Sequence, residues 1–330
     1  MRRNVVQAVP KFLPFFSFIV PFTILYFLYP NTFEPVWTGT WENRVGYLLF
    51  LWLFFLETAL AWDDLNIKER KLSFIKTGAL ITAVALPTIY VIVANYFRLN
   101  QAIVDLSLKY NIKHEWAILM PMSIEYVVFA CFFVAIVTLK YGGCAIKFYS
   151  VSTSFLLIIG IVYTINNLYP LGEFAPFQVL AIPTAIITEK VLNLIGYKTT
   201  LYIKGNVPYL LAVNPENPVE RFGAGIDWPC AGVESLVVYT VTILLFLKKS
   251  GFSLKLKTFY FLLGATVTFF INVLRIVSIY VIAIHGGAWG VFHDYFGPLY
   301  SVVWIVSYPL IIIKGRSLWN KFQVWKEGST

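Results

Sequence analysis

The feature that most constrains this chain is a succession of long apolar runs separated by short charged loops. The runs lie near residues 12–29, 45–62, 76–97, 115–139, 147–165, 230–247, 258–284 and 296–313. A bilayer's hydrocarbon core is about 30 Å thick, so a helix crosses it in roughly 20 residues. Within lipid every backbone polar group must be satisfied internally, which runs of this length achieve as helices. The chain is 58% hydrophobic and 13% charged, whereas a soluble domain carries roughly 25% charged residues. The expected fold is therefore an all-α polytopic membrane protein with about eight transmembrane helices, a single integral membrane domain over residues 1–330.

The net charge of +9 is spread over loops. It reads as an orientation signal and not as a nucleic-acid surface, because cytoplasmic loops collect Lys and Arg. The segment 178–196, "QVLAIPTAIITEKVLNLIG", is apolar but broken by Pro183 and by Glu189-Lys190. If it does not cross, 17 of the 26 basic residues fall on one side and 7 on the other. If it does cross, the later basic loops move to the opposite side from the earlier ones. The simpler arrangement makes 178–196 an interfacial or re-entrant helix and puts both termini in the cytoplasm of a plasma-membrane protein. The chain then falls into a five-helix part (1–165), a second part (178–313) and a cytoplasmic tail (314–330). Residues 198–229 form a small extracytoplasmic cap, with period-two pieces "TLYIKG" and "YLLAV" between Gly, Pro and Asn breaks.

Depth along the helices then becomes readable. Cys230 lies 18 residues from Lys248, and Arg275 lies 18 residues from Lys257, about 27 Å of helix in each case. His293 lies 21 residues from Lys314, or about 31 Å. Three helices thus carry a thiol, a guanidinium and an imidazole to one depth, the outer membrane boundary. Together these groups fit acyl transfer. A thiol attacks a carbonyl as thiolate, so its proton must be taken by a base or its pKa lowered. Cys230 is expected in the first turn of its helix, where free N–H groups favour negative charge. His293 is the candidate base and acid, and Arg275 the stabiliser of thiolate or oxyanion. Asn272, one turn from Arg275, is a supporting residue, as are Gly232 and Glu234. An arginine within an apolar helix is costly to bury and points to function. Glu57 and Glu125 are notable on the same ground, with anchoring between helices as their plainer reading. His285 competes with His293. Cys131, Cys144 and His114 read as inert or simply exposed. The three cysteines show no metal spacing, and neither a metal nor an organic cofactor is implied.

At these residues the sequence resembles the exosortase/archaeosortase family of membrane cysteine transpeptidases. The resemblance rests on "CAGVES" at Cys230 and Gly232, on "NVLR" at Asn272 and Arg275, and on "HDYFG" at His293 and Gly297. It spans roughly residues 178–313, and the "CAGVES" form is nearer the archaeal than the bacterial branch. The resemblance implies a sorting enzyme with Cys230, Arg275 and His293 as its catalytic set. Its substrates would be secreted precursors with a C-terminal signal made of a motif, a membrane helix and a basic tail. Cys230 would cleave beside the motif through a thioester and pass the acyl group to an acceptor, a membrane lipid, at the extracytoplasmic face. Two rivals stand beside it. One is a transporter whose intramembrane charges line a solute path; the other is a lipid or glycan acyltransferase without proteolysis.

Overall fold

The computed structural model describes residues 13–34, 42–62, 64–65, 74–170 and 172–327. Arg2, Arg3, Lys11, Lys68, Arg70 and Lys71, which carry much of the orientation argument, lie outside the described residues. The chain forms two compact units, residues 1–170 and 171–330. The division falls in the stretch between the two parts expected from the sequence.

In the first unit the helices are α1 (Leu13–Leu28), α2 (Val45–Leu60), α3 (Phe74–Tyr96), α4 (Leu99–Lys109), α5 (Met120–Tyr141) and α6 (Ser150–Leu168). Helix α4 occupies a stretch expected to be loop. The core is a run of aromatic rings at helical spacing: Phe18 and Phe22 of α1, Tyr47, Phe50 and Phe54 of α2, Phe129 and Phe133 of α5. Phe22 stacks on Tyr47 with centroids 4.5 Å apart, and Phe50 meets Phe133 edge-on at 5.1 Å. Lipid is as apolar as these side chains, so such a bundle is held by close packing and by interhelical hydrogen bonds.

Those hydrogen bonds account for the glutamates. Glu125 of α5 receives the Arg44 guanidinium at 2.8 and 3.4 Å and the Tyr47 hydroxyl at 2.7 Å. Glu57 of α2 accepts the backbone N–H groups of Val151 and Ser152 and the Ser152 hydroxyl, at 3.2, 2.9 and 2.7 Å. It thereby serves the first turn of α6, whose N–H groups have no partner within their own helix. Glu42, in the approach to α2, accepts the side-chain amides of Asn166 and Asn167 at 3.0 and 3.1 Å. Burial pushes its carboxyl up to about 8 against the pull of those amides. Each of these glutamates is at most 1% exposed, so they are joints within a packed interior.

The second unit contains α7 (Ala181–Leu194), strands β1 (Lys198–Lys204), β2 (Val207–Val213) and β3 (Arg221–Gly225), then α8 (Val233–Lys249), α9 (Leu254–Ile284) and α10 (Gly297–Glu327). The strands form an antiparallel sheet in the order β1-β2-β3. The cap is thus a three-stranded meander, and the chain is mostly but not purely helical. One face of the sheet packs on α7 and α9, burying Ala185, Leu192, Leu210, Ala212, Ile276 and Tyr280 together. Helices α8, α9 and α10 pack pairwise, with Tyr239, Ile243, Ile305 and Tyr308 between α8 and α10.

Among the described residues, six helical stretches are long and apolar enough to cross a membrane. Five correspond to expected spans: Phe74–Tyr96, His114–Tyr141, Gly143–Leu168, Leu254–Ile284 and Trp289–Arg316. The sixth, Ala175–Leu194, is the segment expected to lie at the interface, and its helix packs against β1, β2 and α9. Among the described residues, helices α1 and α2 have 16 residues each and α8 has 17, about 24–26 Å of helix at roughly 1.5 Å per residue.

Candidate active site

Cys230 lies in a tight turn three residues ahead of α8, which begins at Val233. The expectation that it occupies the first turn of the helix is corrected by Gly232. This glycine has φ of 92° and caps the helix in the left-handed region, so the chain turns between the thiol and the helix instead of running straight into it. A side chain at 232 would be strained in that conformation and would lie 2.7 Å from the amide carbon of Asn272. Asn272 in turn donates from Nδ2 to the Cys230 carbonyl at 3.0 Å. The turn is braced from upstream as well. Trp228 packs on Phe177 with centroids 4.8 Å apart. Asp227 accepts the Gln178 side-chain amide, and the Trp228 N–H at 2.7 Å.

Arg275, half-buried on α9, donates from Nη2 to the His293 carbonyl at 3.1 Å. A side chain at position 297 would come within 2.6 Å of its Nε, so the room for the guanidinium is made by Gly297. The charge of Arg275 reaches Cys230, Glu234 and Asp294. Its Nε has no hydrogen-bond partner among the described residues, and neither has the Oδ1 of Asn272. Glu234, in the first turn of α8, makes no described hydrogen bond and acts on Cys230 and Arg275 through its charge alone. The three motifs are therefore interlocked: Gly232 fits Asn272, and Gly297 fits Arg275.

His293 sits in a five-residue π turn, Phe292–Phe296, just before α10. Such turns are rare and often mark functional sites. Its Nδ1 lies 2.7 Å from Oδ1 of Asp294, an orienting carboxylate that the sequence reading missed. The signal was the Asp within "HDYFG", but neighbouring residues in a regular helix point apart. With Nδ1 engaged, Nε2 is the nitrogen free to exchange a proton. Among the described residues, no hydrogen bond joins this ring to the Cys230 thiol. His285 belongs elsewhere: its Nε2 lies 2.9 Å from the Tyr197 hydroxyl and its Nδ1 3.3 Å from Glu220. The amides of Asn214 and Asn217 hold Glu220 below the ordinary carboxylate range, and His285 adds to the effect.

Cys230 precedes α8 and is half-buried. Burial pushes its thiol above the ordinary value, Arg275 opposes the shift, and Asp227 and Glu234 reinforce it. A resting thiol of this kind needs a base when it reacts. The chain matches no protein-family model, no curated protein and no solved structure. The site therefore rests on its own geometry.

Proposed function

We propose that the chain is a membrane-embedded cysteine peptidase and transpeptidase that cleaves the C-terminal sorting signal of secreted precursors and transfers them to a lipid anchor. The observation that carries this reading is the position of Arg275, bonded to the His293 carbonyl while its charge reaches the Cys230 thiol. The scissile carbonyl is placed over Cys230. His293 Nε2 takes the thiol proton as Sγ bonds to the carbonyl carbon, and the oxyanion forms within the field of Arg275. Collapse breaks the C–N bond, and the leaving amine takes the proton back from His293. The resulting thioester is attacked by an acceptor nucleophile whose proton passes through His293, restoring the thiol. Asp294 keeps the ring oriented, as the carboxylate does in other nucleophile–base pairs.

Both enzyme and precursor are confined to one membrane, so positioning supplies much of the rate. In this reading the cap and the thiol face outward and both termini face the cytoplasm. The transporter alternative loses its support in Glu57 and Glu125, which are packed and fully engaged. Cys230→Ala in the native host is expected to accumulate precursors that keep their C-terminal helix, seen by mass spectrometry of membrane proteins. Normal processing in that variant would refute the proposal. Intact tails in wild-type cells, with a lipid or glycan still acylated, would favour an acyltransferase without proteolysis.

A further inference from the structure

The cap sheet has two open edges, and they are not alike. Ladder hydrogen bonds alternate along an antiparallel pair, so every second residue of an edge strand points its N–H and C=O outward. The pairs flanking the β2–β3 ladder fix this alternation. Asn214 N–H bonds to the Glu220 carbonyl at 2.9 Å, and Ile226 N–H to the Pro208 carbonyl at 2.8 Å. With Leu210 opposite Ala224 and Ala212 opposite Phe222, the even-numbered residues of β3 face β2. Arg221, Gly223 and Gly225 face away from it. The Gly223 carbonyl accepts the Tyr209 hydroxyl at 3.0 Å. Among the described residues, nothing bonds to the outward N–H of Gly223 or to either outward group of Gly225.

Such an edge invites another strand, and proteins usually guard it with charge, bulk or Pro. Strand β1 is guarded by Lys198, Tyr202 and Lys204. Strand β3 instead has two glycines on its outward register and runs into Asp227-Trp228-Pro229-Cys230. Gly225 is five residues before the thiol, at most about 17 Å of extended chain. Arg221, exposed at the start of the strand, makes no ion pair among the described residues.

We infer that the open edge of β3 is the substrate subsite: an extended peptide segment of the precursor adds to it as a fourth strand and so lays its scissile bond on Cys230. The inference rests on the peptidase reading above and extends it to the mode of recognition. Backbone pairing of this kind supplies affinity largely independent of sequence, while side-chain pockets supply specificity. Arg221 would favour an acidic side chain or another acceptor on the incoming strand.

The test compares the two edges in the full-length protein in its native host. Gly225→Pro deletes one outward donor and removes no ladder hydrogen bond to β2, since Pro is tolerated where an edge N–H faces solvent, although its Cβ would press on Val207 Cγ1 at 3.3 Å. Ile203→Pro makes the equivalent change on β1, whose odd-numbered residues face outward. Gly225→Pro is expected to slow removal of precursor tails at least tenfold while Cys230 is alkylated by a small maleimide at the wild-type rate. Ile203→Pro is expected to process normally. Wild-type processing in Gly225→Pro overturns the inference and leaves the peptidase reading standing. Normal processing in Cys230→Ala overturns both.

Because Gly225→Pro could fail to fold, a cross-linking arm stands beside it. Arg221→Cys or Lys198→Cys is labelled with a benzophenone maleimide in a chain that also carries Cys230→Ala, Cys131→Ser and Cys144→Ser. The 221 label is expected to capture the same tail-bearing precursors that accumulate in Cys230→Ala cells, and the 198 label is not. Equal capture from both edges, no capture at 221, or a cross-link between two copies of this chain overturns the inference.

Discussion

The two units treat buried polarity in opposite ways. In the first, Arg44, Glu125, Glu57 and Glu42 all lie in the packed interior and each is met by a named partner. In the second, the groups around Cys230 are incompletely satisfied: the Nε of half-buried Arg275 and the Oδ1 of fully buried Asn272 lack partners among the described residues, and Glu234 makes no described hydrogen bond. Breaking a buried pair costs several kcal/mol, so a fully paired set belongs to the framework. Polar groups kept short of partners beside an accessible thiol are a candidate site, since a native structure rarely leaves them so without a reason. A buried arginine, whether ahead of a helix like Arg44 or within one like Arg275, is thus not one signal but two, and its partners decide between them.

Substitution separates the two units. Arg44→Ala leaves Glu125 buried without its cation and is expected to cost about 3–5 kcal/mol of stability. Arg275→Ala removes one hydrogen bond from a charged donor and is expected to cost about 1.5–3 kcal/mol, yet to abolish precursor processing. Unfolding in detergent and tail retention in cells measure the two quantities. Equal stability losses, or processing that survives Arg275→Ala, would erase the contrast.

Next in size is the pH dependence of the first unit. The Glu42 carboxyl is held up to about 8 in the fold, while in the unfolded chain it titrates near the ordinary value of about 4.3. The folded state therefore keeps the proton longer. Its contribution is complete below about pH 4.3 and is lost as pH rises through about 8, a change on the order of a few kcal/mol. Glu42→Gln is expected to flatten unfolding midpoints across that window and to raise them at its alkaline end. An unchanged slope would show that Glu42 is not the titrating joint.

The smallest effect sharpens the second unit. Burial raises the Cys230 thiol and Arg275 opposes it, so the alkylation rate of Cys230 is expected to rise with pH along a curve whose midpoint lies above the ordinary thiol value. Arg275→Ala should move that midpoint further up, and a downward move would contradict the geometry.

Much of this architecture was legible in the sequence because apolar run length and alternation are local signals. The eight runs each coincide with a helix, all of "TLYIKG" but its final Gly205 falls in β1, and "YLLAV" falls in β2. Strand β3, "RFGAG", was not legible because its glycines carry no side chain to alternate. The interfacial assignment of 178–196 leaned on charge asymmetry, and several of those charges fall outside the described residues. Around the candidate site, Cys230, Asn272, Arg275 and His293 could be picked out, but the reasons for Gly232 and Gly297 could not. Those reasons are close approaches between helices, to Asn272 and Arg275. Asp294 was hidden because only the π turn brings it onto the His293 ring. Glu42 was hidden because its partners lie 124 and 125 residues away.

In the proposed reaction Cys230 forms a thioester with a cleaved protein. Hydroxylamine intercepts thioesters by attacking the acyl carbon and releasing the thiol, leaving a hydroxamate on the protein. Treated host cells should therefore yield tail-less surface proteins with a hydroxamate at the new C terminus, and Cys230→Ala cells should yield none. Absence of that product from wild-type cells, or its persistence in Cys230→Ala cells, would contradict the account.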